Sequence, residues 1–501
     1  MSVWRTKSIE QSVRDTEDTE HQLKKGLNWF DLIVFGVGVV IGAGIFTLTG
    51  RAARDFAGPA IVLSFVLAGV CCALAALCYA EFAAAVPVAG SAYTFSYSTL
   101  GEIIAWIIGW DLMLELMLGA SVVSQGWSSY AQELLSDIGI DWPTGIGYDE
   151  NAGFGHPNLL ALLLVLVLTT LIAIGIKESL RVNIVLVGIK VFIVLFVVVA
   201  GIGFIRGSNY HPFVPPAKGG SAATSTFAEP LYQVIFGIEP QVYGVLGIVS
   251  GASLVFFAFI GFDVVATTAE EAKNPQRDLP IGIIGSLAIC TVLYMSVAFV
   301  VTGMVKYSDI NRGAPLAEAF KSVGKDGYAT LVSAGAVAGL TTVVMTLMIG
   351  AARVLFAMCR DHLLPGALSN VHPRFGTPMR ITMLIGGIVG LVAAFTPIGA
   401  LEEMVNIGTL AAFTLVSIAV PLLRRRQPDL ARPFRVPLNP YVPILAAVIC
   451  VYLALNLTVE TWLRFLVWMA LGFLIYGTYG YRHSRLAGGG GTTRERVSAR
   501  T

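Results

Sequence analysis

Charge is scarce in this chain of 501 residues: Lys, Arg, Asp and Glu make up 13%, against 55% hydrophobic residues and a mean hydropathy of +0.75. That balance excludes an ordinary soluble enzyme, and a net charge of +1 leaves no basic footprint for nucleic acid. Cysteine and histidine are equally sparse, at six each. Cys71, Cys72, Cys78, Cys290 and Cys450 lie within apolar runs at neither disulfide nor metal-ligand spacing, so they read as small buried hydrophobes. The histidines are scattered among tails and connections and offer no base for a nucleophile and no metal site. No cofactor is expected, and no enzymatic activity. The residues before Leu27 are polar and hold no short apolar core ending in a small-residue cleavage site. No cleavable signal peptide is therefore expected, and the first apolar run serves for insertion.

What the chain has in abundance is long apolar runs. About twelve are long enough to cross some 30 Å of hydrocarbon, centred near residues 40, 72, 118, 167, 194, 257, 291, 342, 388, 411, 450 and 470. The expected fold is an all-α integral membrane protein with about 12 transmembrane helices and both termini on one side. Roughly 22 Lys and Arg fall in the tails and even-numbered connections against roughly nine in the odd ones, and Arg424-Arg425-Arg426 strengthens the bias. Both termini are expected in the cytoplasm, with the protein multi-pass in the plasma membrane. One connection placed outside, with Lys306, Arg312, Lys321 and Lys325, runs against the rule.

The first apolar run carries Ile41-Gly42-Ala43-Gly44-Ile45-Phe46, two glycines set two apart. Glycine costs roughly 1 kcal/mol against alanine in a helix interior, so it marks a place where backbone opens or something approaches closely. Taken alone, the pair fits close packing of a neighbouring helix as well as a broken helix. A second run, Phe256-Phe257-Ala258-Phe259-Ile260-Gly261-Phe262-Asp263, has the same irregularity roughly 220 residues on and five apolar segments later. Paired interruptions at matching places in two halves point to an inverted-repeat transporter. Broken helices at membrane depth expose N–H groups that attract a carboxylate and carbonyls that attract an ammonium or cation. An α-amino acid carries both.

Polar residues inside apolar runs are functional candidates by default. Lys190 is the only basic residue between Val182 and Phe204, roughly 12 Å along the fifth helix from its cytoplasmic end. It either snorkels out or, desolvated, alternates between neutral and charged forms and carries a coupling proton. Charged, it would offer its ammonium to the carbonyls of the broken first helix. Asp263 follows the second break, and Glu115 lies mid-way along the third segment. The two carboxylates would hold a cationic substrate side chain, carry protons, or be satisfied by helix-end N–H groups and hydroxyls. Asp111, one turn before Glu115, reads as nearer the interface, and Glu81 as structural.

The chain resembles the amino acid–polyamine–organocation superfamily, and within it a bacterial homologue of the cationic amino acid transporter family. Besides the two interrupted segments, the likeness rests on Tyr79-Ala80-Glu81-Phe82 leading to Val86-Pro87-Val88-Ala89-Gly90-Ser91-Ala92-Tyr93, and on Glu270 through Pro280. It continues in Phe356-Ala357-Met358-Cys359-Arg360-Asp361, Asn406-Ile407-Gly408-Thr409-Leu410 and Arg432-Pro433-Phe434-Arg435-Val436-Pro437. Cys359 and His362 depart from the small residue and glycine more usual there.

The resemblance implies a five-plus-five inverted repeat of LeuT type and proton-linked uptake of L-amino acids. The implied organisation is a cytoplasmic tail (1–26), a first repeat (27–206), an extracellular connection (207–239) and a second repeat (240–423). A cytoplasmic loop (424–441), helices eleven and twelve (442–481) and a cytoplasmic tail (482–501) follow. It also implies that the substrate carboxylate meets N–H groups at Gly42, Ala43, Gly44 and Ile45, and the ammonium meets carbonyls of Ile41, Phe257, Ala258 and Ile260. Lys190 matches the family's proton-linked lysine. An exchanger or a sodium-coupled carrier would use the same breaks. A channel would need a filter or pore ring, a membrane enzyme a nucleophile and base at depth, and neither is present in the sequence; an amino acid sensor would bind without moving its ligand.

Overall fold

Apolar runs in hydrocarbon leave the backbone one economical way to satisfy its N–H and C=O groups, the helix. The computed structural model follows that rule over the residues it describes, which are 26–85, 91–149, 151, 153–175, 180–219, 226–237 and 241–485. The N-terminal tail, the Val86–Gly90 part of the motif after the second helix, and the chain beyond Arg485 lie outside them. The one ladder among the described residues pairs Lys218–Gly219 with Gln241–Val242.

Twelve apolar helices form at the twelve runs. They are α1 (Trp29–Val40), α2 (Ile61–Ala85), α3 (Glu102–Asp137), α4 (Leu159–Ala173), α5 (Leu180–Ile202) and α6 (Gly244–Val255). The others are α7 (Pro275–Met304), α8 (Asp326–Arg360), α9 (Met379–Phe395), α10 (Ile398–Arg426), α11 (Tyr441–Leu455) and α12 (Val459–Ile475). Local signals set several starts. At α1 the Asn28 side chain accepts from the N–H groups of Phe30 and Asp31 while Asp31 accepts from Asn28 N, a capping box. Asn158 caps α4 from its side chain, and Pro275 stands at the first position of α7.

The packing has two-fold order. Helices in the first five lie against the helices five later: α2 against α7, α3 against α8, and α4 against α9, while the break after α1 touches the break after α6. Contacts that are not self-related come in matched sets, α1 with α7 and α6 with α2, α3 with α10 and α8 with α5. Each self-related pair is antiparallel. Phe65 meets Tyr294 where Gly69 faces Thr291, and Gly109 faces Met358 where Trp127 bonds Thr341 and Asp137 bonds Thr330. Two halves with the same helix order and opposite direction are an inverted repeat. Helices α11 and α12 lie outside it, with α11 against α10 and α12 against both α10 and α3. Trp110 and Trp468 stack at 4.4 Å and exchange indole-to-carbonyl hydrogen bonds that fasten α12 to α3.

The basic connection that opposes the charge rule acquires a physical account. Arg312 forms a two-pronged pair with Asp55, Lys321 pairs with Glu133 and Asp137, and Lys325 lies over the ring of Phe204. Glu133 and Asp137 close the end of α3, and Asp55 the helical stretch before α2, so these cations serve as ties across one rim of the bundle. Burial lowers the pKa of Lys321, but the hydrogen bonds and charges of Glu133 and Asp137 outweigh it and raise the value above an ordinary lysine's.

At the opposite ends of α2 and α10, Glu81 accepts from Arg424 at 2.9 and 2.5 Å and from Val436 N at 2.7 Å. It ties α2 to the chain that follows α10, as a structural residue does. All six cysteines are buried and free.

Candidate functional site

Both interrupted segments are broken in the structure. Helix α1 ends at Val40, Ile41 leaves the helical region (φ −70, ψ 86), and from Gly44 the chain resumes as a widened π-turn over Gly44–Leu48. Helix α6 ends at Val255, tightens into one 3₁₀ stretch over Phe256–Phe259, turns extended at Ile260 (ψ 137) and resumes as 3₁₀ over Asp263–Glu271. Gly261 between them has φ +112, open to glycine and strained for other residues.

The two breaks touch. A Cβ on Gly44 would collide with Cα and Cβ of Ala258, and one on Gly261 would come within 2.7 Å of the Val39 side chain. The close-packing and broken-helix readings of the glycine pair are thus both realised, at different atoms. Gly44 lets the two breaks meet, while Gly42 faces the side chain of Val343. Ile41, Gly42, Ala43, Gly44, Ile45, Phe257, Ala258, Ile260 and Asp263 are brought together as a buried group. No side chain caps the widened turn that starts at Gly44, whereas at the second start the Asp263 carboxylate itself lies against the N–H groups of Gly261 and Val264.

Breaking a helix orphans carbonyls as well, and here side chains from other helices answer them. Lys190 on α5, 1% exposed, donates from Nζ to Gly38 O at 2.6 Å. Its stem passes Gly339 of α8, where a Cβ would lie 2.9 Å from Lys190 Cγ. Snorkelling is excluded by this geometry: the ammonium points inward to the first break. Tyr294 of α7 donates to Val40 O at 2.5 Å and Tyr130 of α3 to Phe46 O at 2.6 Å. Thr47 and Thr49 bond back to Ala43 O and Ile45 O within the widened turn. Sequence reasoning missed both tyrosines. A hydroxyl inside an apolar helix was the available signal, but it does not say which carbonyl it meets.

Three carboxylates lie beside the second break. Asp263, 2% exposed, sits at the start of its 3₁₀ stretch against the N–H groups of Gly261 and Val264. Glu115 and Asp111 on α3 are each 1% exposed; Glu115 lies by Thr409, and Asp111 against Gly408, both of α10. Asp111 is buried in the bundle rather than at an interface, because the turn it shares with Glu115 faces α10. Both oxygens of Asp111 lack a hydrogen-bond partner among the described residues, and Glu115 has the Thr409 hydroxyl beside it. A buried carboxylate without a donor is costly when ionised, so this group suits a proton or a cationic ligand.

On the far side of the site from Glu81, the partly exposed Arg51 pairs with the buried Glu402 of α10. This pair joins the second half of the first segment to the second repeat, and nothing local in the sequence announced it.

Residues 27–477 match the family described as amino acid permease. The chain is 43% identical over 486 residues to a methylthioribose transporter and 44% identical over 489 residues to a branched-chain amino acid permease, both from Bacillus subtilis (strain 168). Each match covers 97% of this chain and 99% of the relative. It is also 36% identical over 438 residues to the vacuolar cationic amino acid transporter 4 of Arabidopsis thaliana, covering 85% of this chain and 68% of that protein. These relatives are named as permeases and transporters, not enzymes.

Proposed function

The chain belongs to the amino acid permease family, and from that premise we propose that it moves L-amino acids across the plasma membrane by alternating access, driven by protons, with both termini in the cytoplasm. The observation that carries this reading is the pair of touching, buried breaks, at which the turn starting at Gly44 has no side-chain cap and packs on Ala258 of the second break. The substrate carboxylate takes the N–H groups of Gly42, Ala43, Gly44 and Ile45. Its ammonium takes the carbonyls of Ile41, Phe257, Ala258 and Ile260, and Glu115 and Asp263 face its side chain. Lys190 is the proton carrier: protonated, it holds Gly38 O by a charge-assisted hydrogen bond; neutral, it holds that carbonyl more weakly and loosens the end of α1, one wall of the site. Proton and substrate then act on one element, and each alters the other's affinity.

The methylthioribose relative supports a second reading, a neutral polyhydroxylated solute held by hydrogen bonds alone. A thermal-shift screen of purified protein against the twenty amino acids and methylthioribose separates the two, because a ligand that binds only the folded state raises Tm by mass action. Stabilisation by amino acids, followed by their accumulation in proteoliposomes under an inward proton gradient, is the expected result. Stabilisation by the thiosugar alone overturns the proposal.

A further inference from the structure

The inverted repeat pairs α1 with α6 and α5 with α10, so the element five helices after Lys190 has its own broken helix to serve. The residue standing there is Asn406. Its side-chain N–H groups donate to Ser253 O at 2.9 Å and Leu254 O at 3.3 Å, near the end of α6. Gly38, which Lys190 holds, is three residues before Ile41, the C-cap of α1. Ser253 is three residues before Phe256, where α6 gives way to the 3₁₀ turn that leads to the extended Ile260. Asn406 is 0% exposed, and its own carbonyl oxygen has no hydrogen-bond partner among the described residues. A fully buried amide that spends both donors on one helix end and leaves its acceptor open is costly as packing alone, which argues for a role at the break.

We propose that Asn406 is a positioning residue for the transport reaction, the counterpart of Lys190 in the second repeat, which fixes the carbonyl end of α6 beside the substrate. This rests on the transport reading above. An amide neither gains nor loses a proton in the physiological range, so the second break is held equally at every pH while the first is held most tightly when Lys190 is protonated. The two repeats thereby divide the work. The α5 side answers to protons, and the α10 side keeps the ammonium-facing carbonyls of Phe257, Ala258 and Ile260 in place.

The test compares Asn406→Ala, Asn406→Ser (which keeps one donor) and Lys190→Ala with wild type in proteoliposomes, reading the KM for counterflow of the amino acid that stabilises wild type and the accumulation ratio against an imposed pH gradient. Asn406→Ala is expected to raise KM about tenfold, the effect of about 1.4 kcal/mol, with Asn406→Ser between it and wild type. The pH dependence of counterflow should keep its wild-type midpoint in both, whereas Lys190→Ala abolishes that dependence. If Asn406→Ala does not reconstitute, Asn406→Ser is judged by the same two numbers. Wild-type KM in the reconstituted Asn406 variant overturns the proposal, as does a shifted pH midpoint. Failure of wild type to move any amino acid would instead overturn the transport reading and is scored separately.

Discussion

The two helix breaks occupy equivalent places in the two repeats, yet they are built differently. The first opens after glycine-rich backbone, resumes as a widened π-turn and is held by an ammonium and a phenol, Lys190 and Tyr294. The second tightens to 3₁₀ on both sides of an extended Ile260, is packed with Phe256, Phe259 and Phe262, and is held by an amide, Asn406. Phe256 meets Phe413 of α10 edge-on and Phe262 meets it at a tilt, and Phe259 packs on Phe65 and Tyr294. One break is thus loosely wound and held by a lysine, the other aromatic and held by an amide. The difference teaches that symmetry of the fold fixes where the helices break, while the side chains on each half decide how each break is held.

The largest expected effect falls where the two breaks meet. Gly44→Leu drives a side chain into the backbone of Ala258, so ligand-induced stabilisation should vanish while the protein still inserts. A thermal shift of wild-type size in that variant would remove the paired-break site. Next comes Lys190→Ala, which should leave exchange of amino acid intact but abolish its accumulation under an inward proton gradient, with sodium without effect on either protein. If the variant still concentrates substrate, or wild type does so only with sodium, the first break is not the proton-controlled one.

Asp263→Asn sharpens the second break. If Asp263 receives a cationic substrate side chain, the change should weaken arginine and lysine binding about tenfold or more relative to alanine. Equal losses for all three, measured by isothermal titration, would assign the carboxylate to structure or protons. The smallest effect is the control at the rim, Lys321→Met, which touches neither break. The pair with Glu133 and Asp137 is partly solvated and should contribute less than about 1 kcal/mol, with transport unchanged. Because the folded pKa of Lys321 is raised, that contribution is fully present below the ordinary lysine value of 10.5 and disappears as pH rises through the folded value. The Tm difference between variant and wild type should be constant from about pH 6 to 9 and shrink above that lysine value.

Much of this was legible in sequence because membrane constraints act locally. A run of about 20 apolar residues has one stable conformation in lipid, so Leu180–Ile202 or Pro275–Met304 needs no partner to be read as a helix. The misreading of Asp111 shows the limit. Spacing places it on the same face as Glu115, but only the position of α10, with Gly408 leaving room, decides that this face is interior at that height.

By itself the sequence determined the helices, the two matching glycine-marked interruptions and the lone buried-depth lysine, since each follows from the cost of an unpaired backbone group or charge in hydrocarbon. The tertiary structure alone decided which distant groups answer those costs. Tyr130 reaches a carbonyl 84 residues away, Tyr294 one 254 away, and Arg51 finds Glu402 across 351 residues. Such pairings depend on the rotation and height of one helix against another, set by the packing of whole faces, and no local pattern in a chain encodes them.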